Sequence, residues 1–249
     1  MEPCCINQFL EGKTIFITGA TGYLAKVLTE KILRVQPNVK KLYLLIKAPD
    51  TDSAKQRFNN EVIKTDLFRV VREKLGANNL HALIEDKVFP VSGDIAYDNL
   101  AINSELKDDM CREIDIIVNS AATTRFDERY DTAIRINTLG AMNIVNFSKQ
   151  CAKLKMLLHV STAYVCGEKE GLIPEKPLNY GEMLNGSSHL DIEVEKKLVE
   201  EALKDLQDRN ATEKEVTLAM RVLGKVKELA LGNLWLVIRH FESGEGCRS

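Results

Sequence analysis

One stretch limits what this chain can fold into more than any other: Lys13-Thr-Ile-Phe-Ile-Thr-Gly-Ala-Thr-Gly-Tyr-Leu-Ala-Lys26. Ile15, Phe16 and Ile17 form an apolar run and read as a buried strand. The chain then turns at Gly19 and Gly22, and Tyr23, Leu24, Val27, Leu28, Ile32 and Leu33 recur at helical spacing. Strand, glycine turn and helix in that order make the opening of a dinucleotide-binding unit. Gly19 turns where a Cβ would clash, and Gly22 lets backbone approach a pyrophosphate. Thr21 lies in the turn between them. Tyr23 and Leu24 open the helix, whose free amides and dipole favour an anion. Ala25, where a third glycine is usual, is still small enough for close packing of helix on strand. A Gly-x-x-Gly pair also serves turns that bind nothing, so the steric reading stands beside the functional one.

With 249 residues and a formal charge of −2, the chain is long enough for one large α/β domain. The near-neutral balance gives no electrostatic case for nucleic acid or an anionic membrane as the main partner. The longest late apolar run, Leu234 to Ile238, is far short of a membrane span. Met1-Glu-Pro-Cys-Cys carries no secretory pattern, and too few residues precede the first strand for an ordinary transit peptide. The cysteines at 4, 5, 111, 151, 166 and 247 make no Cys-x-x-Cys pair and no zinc spacing with the histidines, and read as reduced thiols of a cytosolic protein.

Lys41 to Lys47 reads as a second buried strand. Its end is basic at Lys47, with no acid before Asp50. A cation there suits the 2′-phosphate of NADP better than free ribose hydroxyls, although Lys47 is equally plain as a solvated strand end. Tyr43 and Lys47 spell Tyr-x-x-x-Lys, but on a strand the two lie about 13 Å apart along the axis, which excludes them as a catalytic pair. Residues 52–83 read as amphipathic helix, and 87–91 as a third strand ending in Ser92-Gly93-Asp94-Ile95. Asp94 is placed to accept a bond from an adenine amino group, with Ile95 beside it; a cap or turn role is the alternative. Ile114 to Asn119 is the fourth strand, and the small residues Ala121, Ala122 and Thr123 beyond it leave room for a nicotinamide ribose and diphosphate. A helix is expected over 132–152. Asn137 within it binds backbone or joins a proton relay. Met156 to Val160 is the fifth strand, and Ser161 and Thr162 follow directly, as hydroxyls that can polarise a substrate carbonyl. A loop over 167–188 and a charged helix over 191–208 complete the pattern.

Together these pieces resemble an extended short-chain dehydrogenase/reductase and, more closely, the plant-type fatty acyl-CoA reductases. The resemblance rests on Thr18 to Lys26, Leu42 to Lys47, Gly93-Asp94, Ile136 to Gly140, His159 to Val165 and Gly171 to Glu175. It rests most of all on Asn119-Ser-Ala-Ala-Thr-Thr-Arg-Phe-Asp-Glu-Arg-Tyr130, which argues against a nucleotide-sugar enzyme. It implies a Rossmann-like doubly wound parallel sheet of the α/β class, incomplete at the C-terminal side. Residues 1–220 would form an NADP-binding domain of the male-sterility/NAD-binding type, with 221–249 a divergent tail. It further implies NADPH as cofactor, a long-chain acyl-CoA as substrate and a primary fatty alcohol as product, with Thr162 at the catalytic hydroxyl position and Ser161 beside it. A cytoplasmic location at the endoplasmic reticulum surface and peripheral membrane association also follow from the resemblance, and a dimer is left open.

The chain departs from the family in one respect. The family's Tyr-x-x-x-Lys pair, in which the tyrosine delivers a proton and the lysine tunes it, should lie well beyond Gly171, yet Tyr164 is followed four places on by Glu168 and Tyr180 by Leu184. General acid catalysis contributes a factor of about 10² to 10⁴. The alternative expectation is therefore a catalytically dead NADP-binding fragment, or a regulatory partner of a full-length reductase. The fifth strand is expected to remain an open sheet edge, with Leu229 to Ile238 available to cover part of it.

Overall fold

The computed structural model describes residues 3–162, 171–172 and 191–231. The expected loop over 167–188 falls largely outside them, as do Tyr164, Tyr180 and the run 232–238. Five strands are present among the described residues: β1 (Thr14–Ile17), β2 (Lys41–Ile46), β3 (Val88–Ser92), β4 (Ile116–Asn119) and β5 (Met156–His159). They form one parallel sheet in the order β3-β2-β1-β4-β5. This is the order of the first five strands of the Rossmann fold. All four residues of β1 and all four of β4 are buried, as a parallel strand covered on both faces requires.

The chain divides into two compact units, Met1–Ala122 with Asn143–Val160, and Thr123–Met142 with Ser161–Ser249. The first holds the sheet. Its helices are α1 (Pro3–Leu10), α2 (Tyr23–Val35), α3 (Thr51–Phe58), α4 (Arg69–Leu75), α5 (Ala77–Lys87) and α6 (Ser104–Glu113). Its core joins Ile15, Ile17, Leu42, Leu44 and Val118 of the strands to Ala25 and Leu33 of α2 and to Phe58 and Phe68. Burying one such large side chain contributes about 1.5–3 kcal/mol.

The span 52–83 is helical but not continuous. A wide turn at Asn59–Ile63 and a tight one at Asp66–Phe68 separate α3 from α4. Gly76, at φ 76°, separates α4 from α5. Helix α6 lies in a stretch that carries no expectation from the sequence. Asn103 starts it by accepting from the amides of Glu105 and Leu106, at 3.0 and 3.4 Å. At the sheet edge, Met156 and Leu158 of β5 are 37% and 47% exposed, so the expected open edge is present among the described residues.

The second unit is helical. It contains α7 (Tyr130–Ala133), a wide-turn segment at Ile134–Leu139, α9 (Ile192–Asp208) and α10 (Glu213–Leu231), while α8 (Gly140–Ser148) spans the division. The expected single helix over 132–152 is thus interrupted and stops at Ser148. Helix α10 runs unbroken through position 220. Tyr130 is buried and donates to Glu195 Oε2 at 2.7 Å, and Lys227 Nζ reaches Glu195 Oε1 at 2.8 Å. Arg129 joins Asp131 and Glu213, and Arg221 joins Asp127. Gly224 passes close to the Tyr130 ring.

Candidate dinucleotide-binding site

In a sheet of this order the crevice lies at the C-terminal ends of β1 and β4, where the chain reverses its direction across the sheet. Gly19 stands there at φ 67°, in the left-handed region that favours glycine. A Cβ on it would meet the Cα and N of Ala121 and the O of Ser120, each at 2.9 Å. The glycine turn and the Ser120–Ala121 backbone are therefore in direct contact, and only a residue without a side chain permits it.

The start of α2 fits an anion. Gly22 is its cap and supplies no side-chain acceptor, and the first turn contains no acidic residue. The Gly22 amide is already given to Gly19 O at 2.7 Å. The amides of Tyr23 and Leu24 have no acceptor among the described residues, and both residues are exposed. Those two amides, rather than that of Gly22, are what this turn offers a phosphate. Thr21 is half-buried beside them.

Thr18, a residue that the motif alone gives no role, organises this end of the sheet. Fully buried, its Oγ1 donates to Asn119 Oδ1 at 2.6 Å and accepts from the amides of Ser120 and Ala121, both at 3.1 Å. Asn119 Nδ2 in turn lies 3.0 Å from His159 Nδ1. A hydroxyl in an otherwise apolar strand run, and a histidine closing an apolar strand, are the only sequence signals for this chain of bonds. His159 is partly desolvated while still meeting solvent, and the desolvation lowers its pKa.

At the ends of β2 and β3, Lys47 Nζ and Asp94 Oδ2 are 2.9 Å apart. Lys47 is largely exposed and Asp94 largely covered. Asp94 Oδ1 also accepts from the Ala96 amide at 2.9 Å, so the turn-forming role is realised. Arg57 donates to the Lys47 carbonyl and pairs with Glu61, which places a second cationic side chain beside the strand end. Ile95 is 4% exposed, with its side chain in the core; its carbonyl accepts from Asn143 Nδ2 at 2.9 Å. What Ile95 can offer a ligand is thus backbone rather than side chain. The excluded pair behaves as expected: Tyr43 is buried and bonded to Glu113 and Lys41, away from Lys47.

Ala121 is half-buried and Ala122 exposed. In the second unit, Thr123 exchanges two bonds with Asn137: its amide to Oδ1 at 2.9 Å, and Asn137 Nδ2 to its carbonyl at 3.1 Å. Asn137 is therefore bound to backbone. The Thr123 hydroxyl donates to Glu128 at 3.1 Å. Ser161 and Thr162 are both exposed. Among the described residues no cluster could hold a metal ion, and no helix is long and apolar enough to cross a membrane.

The sheet order, the glycine turn against the end of β4 and the uncapped helix start define a dinucleotide-binding domain of the Rossmann type. Residues 17–219 match the family described as male sterility protein, and the chain belongs to it. The resemblance to plant fatty acyl-CoA reductases holds. The chain is 55% identical to a probable fatty acyl-CoA reductase 5 of Arabidopsis thaliana and 52% identical to an alcohol-forming fatty acyl-CoA reductase of Simmondsia chinensis. In each case the similarity covers 90% of this chain and 45% of the relative, so the chain spans about half the length of the proteins it matches. Among solved structures, the terminal reductase domain of the myxalamid biosynthetic pathway matches with a TM-score of 0.53 and 26% identity, over 78% of this chain and 46% of that domain. The family and these reductases support a nicotinamide cofactor.

Proposed function

We propose that this chain is the NADPH-binding portion of a reductase that converts long-chain acyl-CoA to fatty alcohol. The observation that carries the reading is the contact of Gly19 with the Ser120–Ala121 backbone beside the open amides of Tyr23 and Leu24. In it, those amides and the α2 dipole hold the diphosphate, and Ala121, Ala122 and Thr123 border the nicotinamide ribose. Asp94 and the Ile95 backbone border the adenine. NADPH is favoured over NADH by Lys47, whose exposed ammonium is held at the end of β2 by Asp94 and is backed by Arg57.

Bound NADPH supplies the hydride. Ser161 and Thr162 donate hydrogen bonds to the thioester carbonyl and polarise it. The acyl carbon gains hydride, its bond to sulfur breaks, and CoA leaves as the thiol after taking a proton. A second hydride reaches the aldehyde carbon, and the oxygen takes a proton to become the alcohol, so each substrate consumes two NADPH. Work at a membrane surface belongs to this proposal through the family resemblance alone.

A second reading has its own observation. The only Tyr-x-x-x-Lys in the 249 residues is Tyr43 with Lys47, whose phenol is buried against Glu113. A chain that binds NADPH without turnover, as a partner of a complete reductase, fits that fact. Incubating purified protein with NADPH and stearoyl-CoA and analysing the lipid products separates the two. Octadecanol supports the first, whereas cofactor uptake with unreacted stearoyl-CoA supports the second.

A further inference from the structure

Thr18, Asn119 and His159 stand at the C-terminal ends of three neighbouring strands, and the hydrogens of their chain can be assigned. The Thr18 oxygen already accepts two amides, from Ser120 and Ala121. A hydroxyl oxygen has two lone pairs, so its one hydrogen must go to Asn119. The side-chain oxygen of Asn119 therefore faces Thr18, and its amide nitrogen faces His159. The reversed amide would give Thr18 three donors and no acceptor. Asn119 Nδ2 thus donates to His159 Nδ1, which fixes the imidazole as the neutral tautomer with its hydrogen on Nε2. The Asn119 carbonyl also accepts from the Val160 amide at 2.9 Å, so the end of β5 is tied to β4 twice.

We propose that His159 is a positioning residue for the nicotinamide side of the cofactor site. Its Nδ1 orients the Asn119 amide, Asn119 orients the Thr18 hydroxyl, and that hydroxyl holds the Ser120 and Ala121 amides against the glycine turn. The inference rests on the NADPH reading above and deepens it. The adenosine end, at Lys47 and Asp94, lies at the far strands β2 and β3 and shares none of these bonds. The two ends of one cofactor should therefore respond differently when His159 is changed.

The test uses the full chain, with NADPH and adenosine 2′,5′-bisphosphate as separate probes in calorimetry. The bisphosphate carries the adenosine half alone. His159→Phe removes the acceptor and is expected to weaken NADPH about 5- to 10-fold, the worth of one hydrogen bond. Bisphosphate affinity should stay within about 2-fold of wild type. His159→Asn places an amide oxygen where Nδ1 was and should restore NADPH affinity to within about 3-fold. In the wild-type protein, nitrogen-15 NMR of labelled histidine should show His159 protonated on Nε2 alone at neutral pH. Equal loss of both ligands in His159→Phe, no loss of either, or a hydrogen on Nδ1 overturns the proposal. Failure of wild-type protein to bind either probe overturns the cofactor reading and this proposal with it.

Discussion

The crevice end of the sheet and the helix packing around Glu195 bury polar groups of opposite kinds. At the crevice end of the sheet unit the buried polar side chains are neutral: Thr18, Asn119 and Asn143. Each bond there has a fixed direction, and together they set backbone positions around Gly19 and Ala121. The helical unit instead places a carboxylate, Glu195, between a phenol and an ammonium, with further ion pairs from Arg129 and Arg221. Its α10 turns Leu218, Val222 and Val226 to solvent and buries Met220. Neutral networks suit a place where atoms must hold a geometry, and charges suit helices that lack apolar area to dock with.

The largest effect should come from Gly19→Val. A left-handed φ costs a branched residue about 1–2 kcal/mol, and overpacking against Ala121 adds about 1–3 kcal/mol. Urea denaturation should show a loss of about 3 kcal/mol, and calorimetry no NADPH uptake. Next, Glu195→Ala strands the Lys227 ammonium and the Tyr130 hydroxyl, and is expected to lower stability by about 2 kcal/mol while leaving NADPH affinity within about 2-fold. Loss of NADPH binding in that variant would break the contrast between the units.

Lys47→Met should weaken NADPH about 10-fold and leave NADH unchanged, since the lysine is exposed and its pair adds little to stability. Equal weakening of both cofactors would remove the 2′-phosphate role. The smallest effect is on pH dependence. Burial first, and then Glu113 for Tyr43 or Glu195 for Tyr130, raises both phenol pKa values. A raised phenol pKa gives stability that is whole below the unfolded value of about 10 and is lost as pH climbs above it. Urea midpoints should therefore hold steady from neutral pH to about pH 9 and then fall, and Tyr130→Phe should soften that fall. A decline that begins near neutrality would assign the pH dependence to other groups.

The sheet was legible because Ile15 to Ile17, Leu42 to Ile46 and Ile116 to Val118 are short apolar runs of the kind that parallel strands buried on both faces use. The glycine turn was legible for the same steric reason that Gly19 now displays. Helix α6 was not, because Ser104 to Glu113 is mostly charged and only Met110 and Cys111 are buried. Helix α10 was missed because Leu218, Val222 and Val226 face solvent while Met220 is buried, so its apolar residues mark no single covered face. The same holds for the site. Lys47 and Asp94 were each visible as charges at strand ends, but their pairing across β2 and β3 follows only from the register. The bond chain from Thr18 to His159 joins residues separated by more than 100 positions and then by 40, and local pattern carries nothing of it.

The most direct measurement is a calorimetric titration of the folded wild-type chain with NADPH and, separately, with NADH. One NADPH site per chain, with NADH markedly weaker, is the expected result. Absence of NADPH uptake up to millimolar concentration, in protein whose circular dichroism shows it folded, would contradict it.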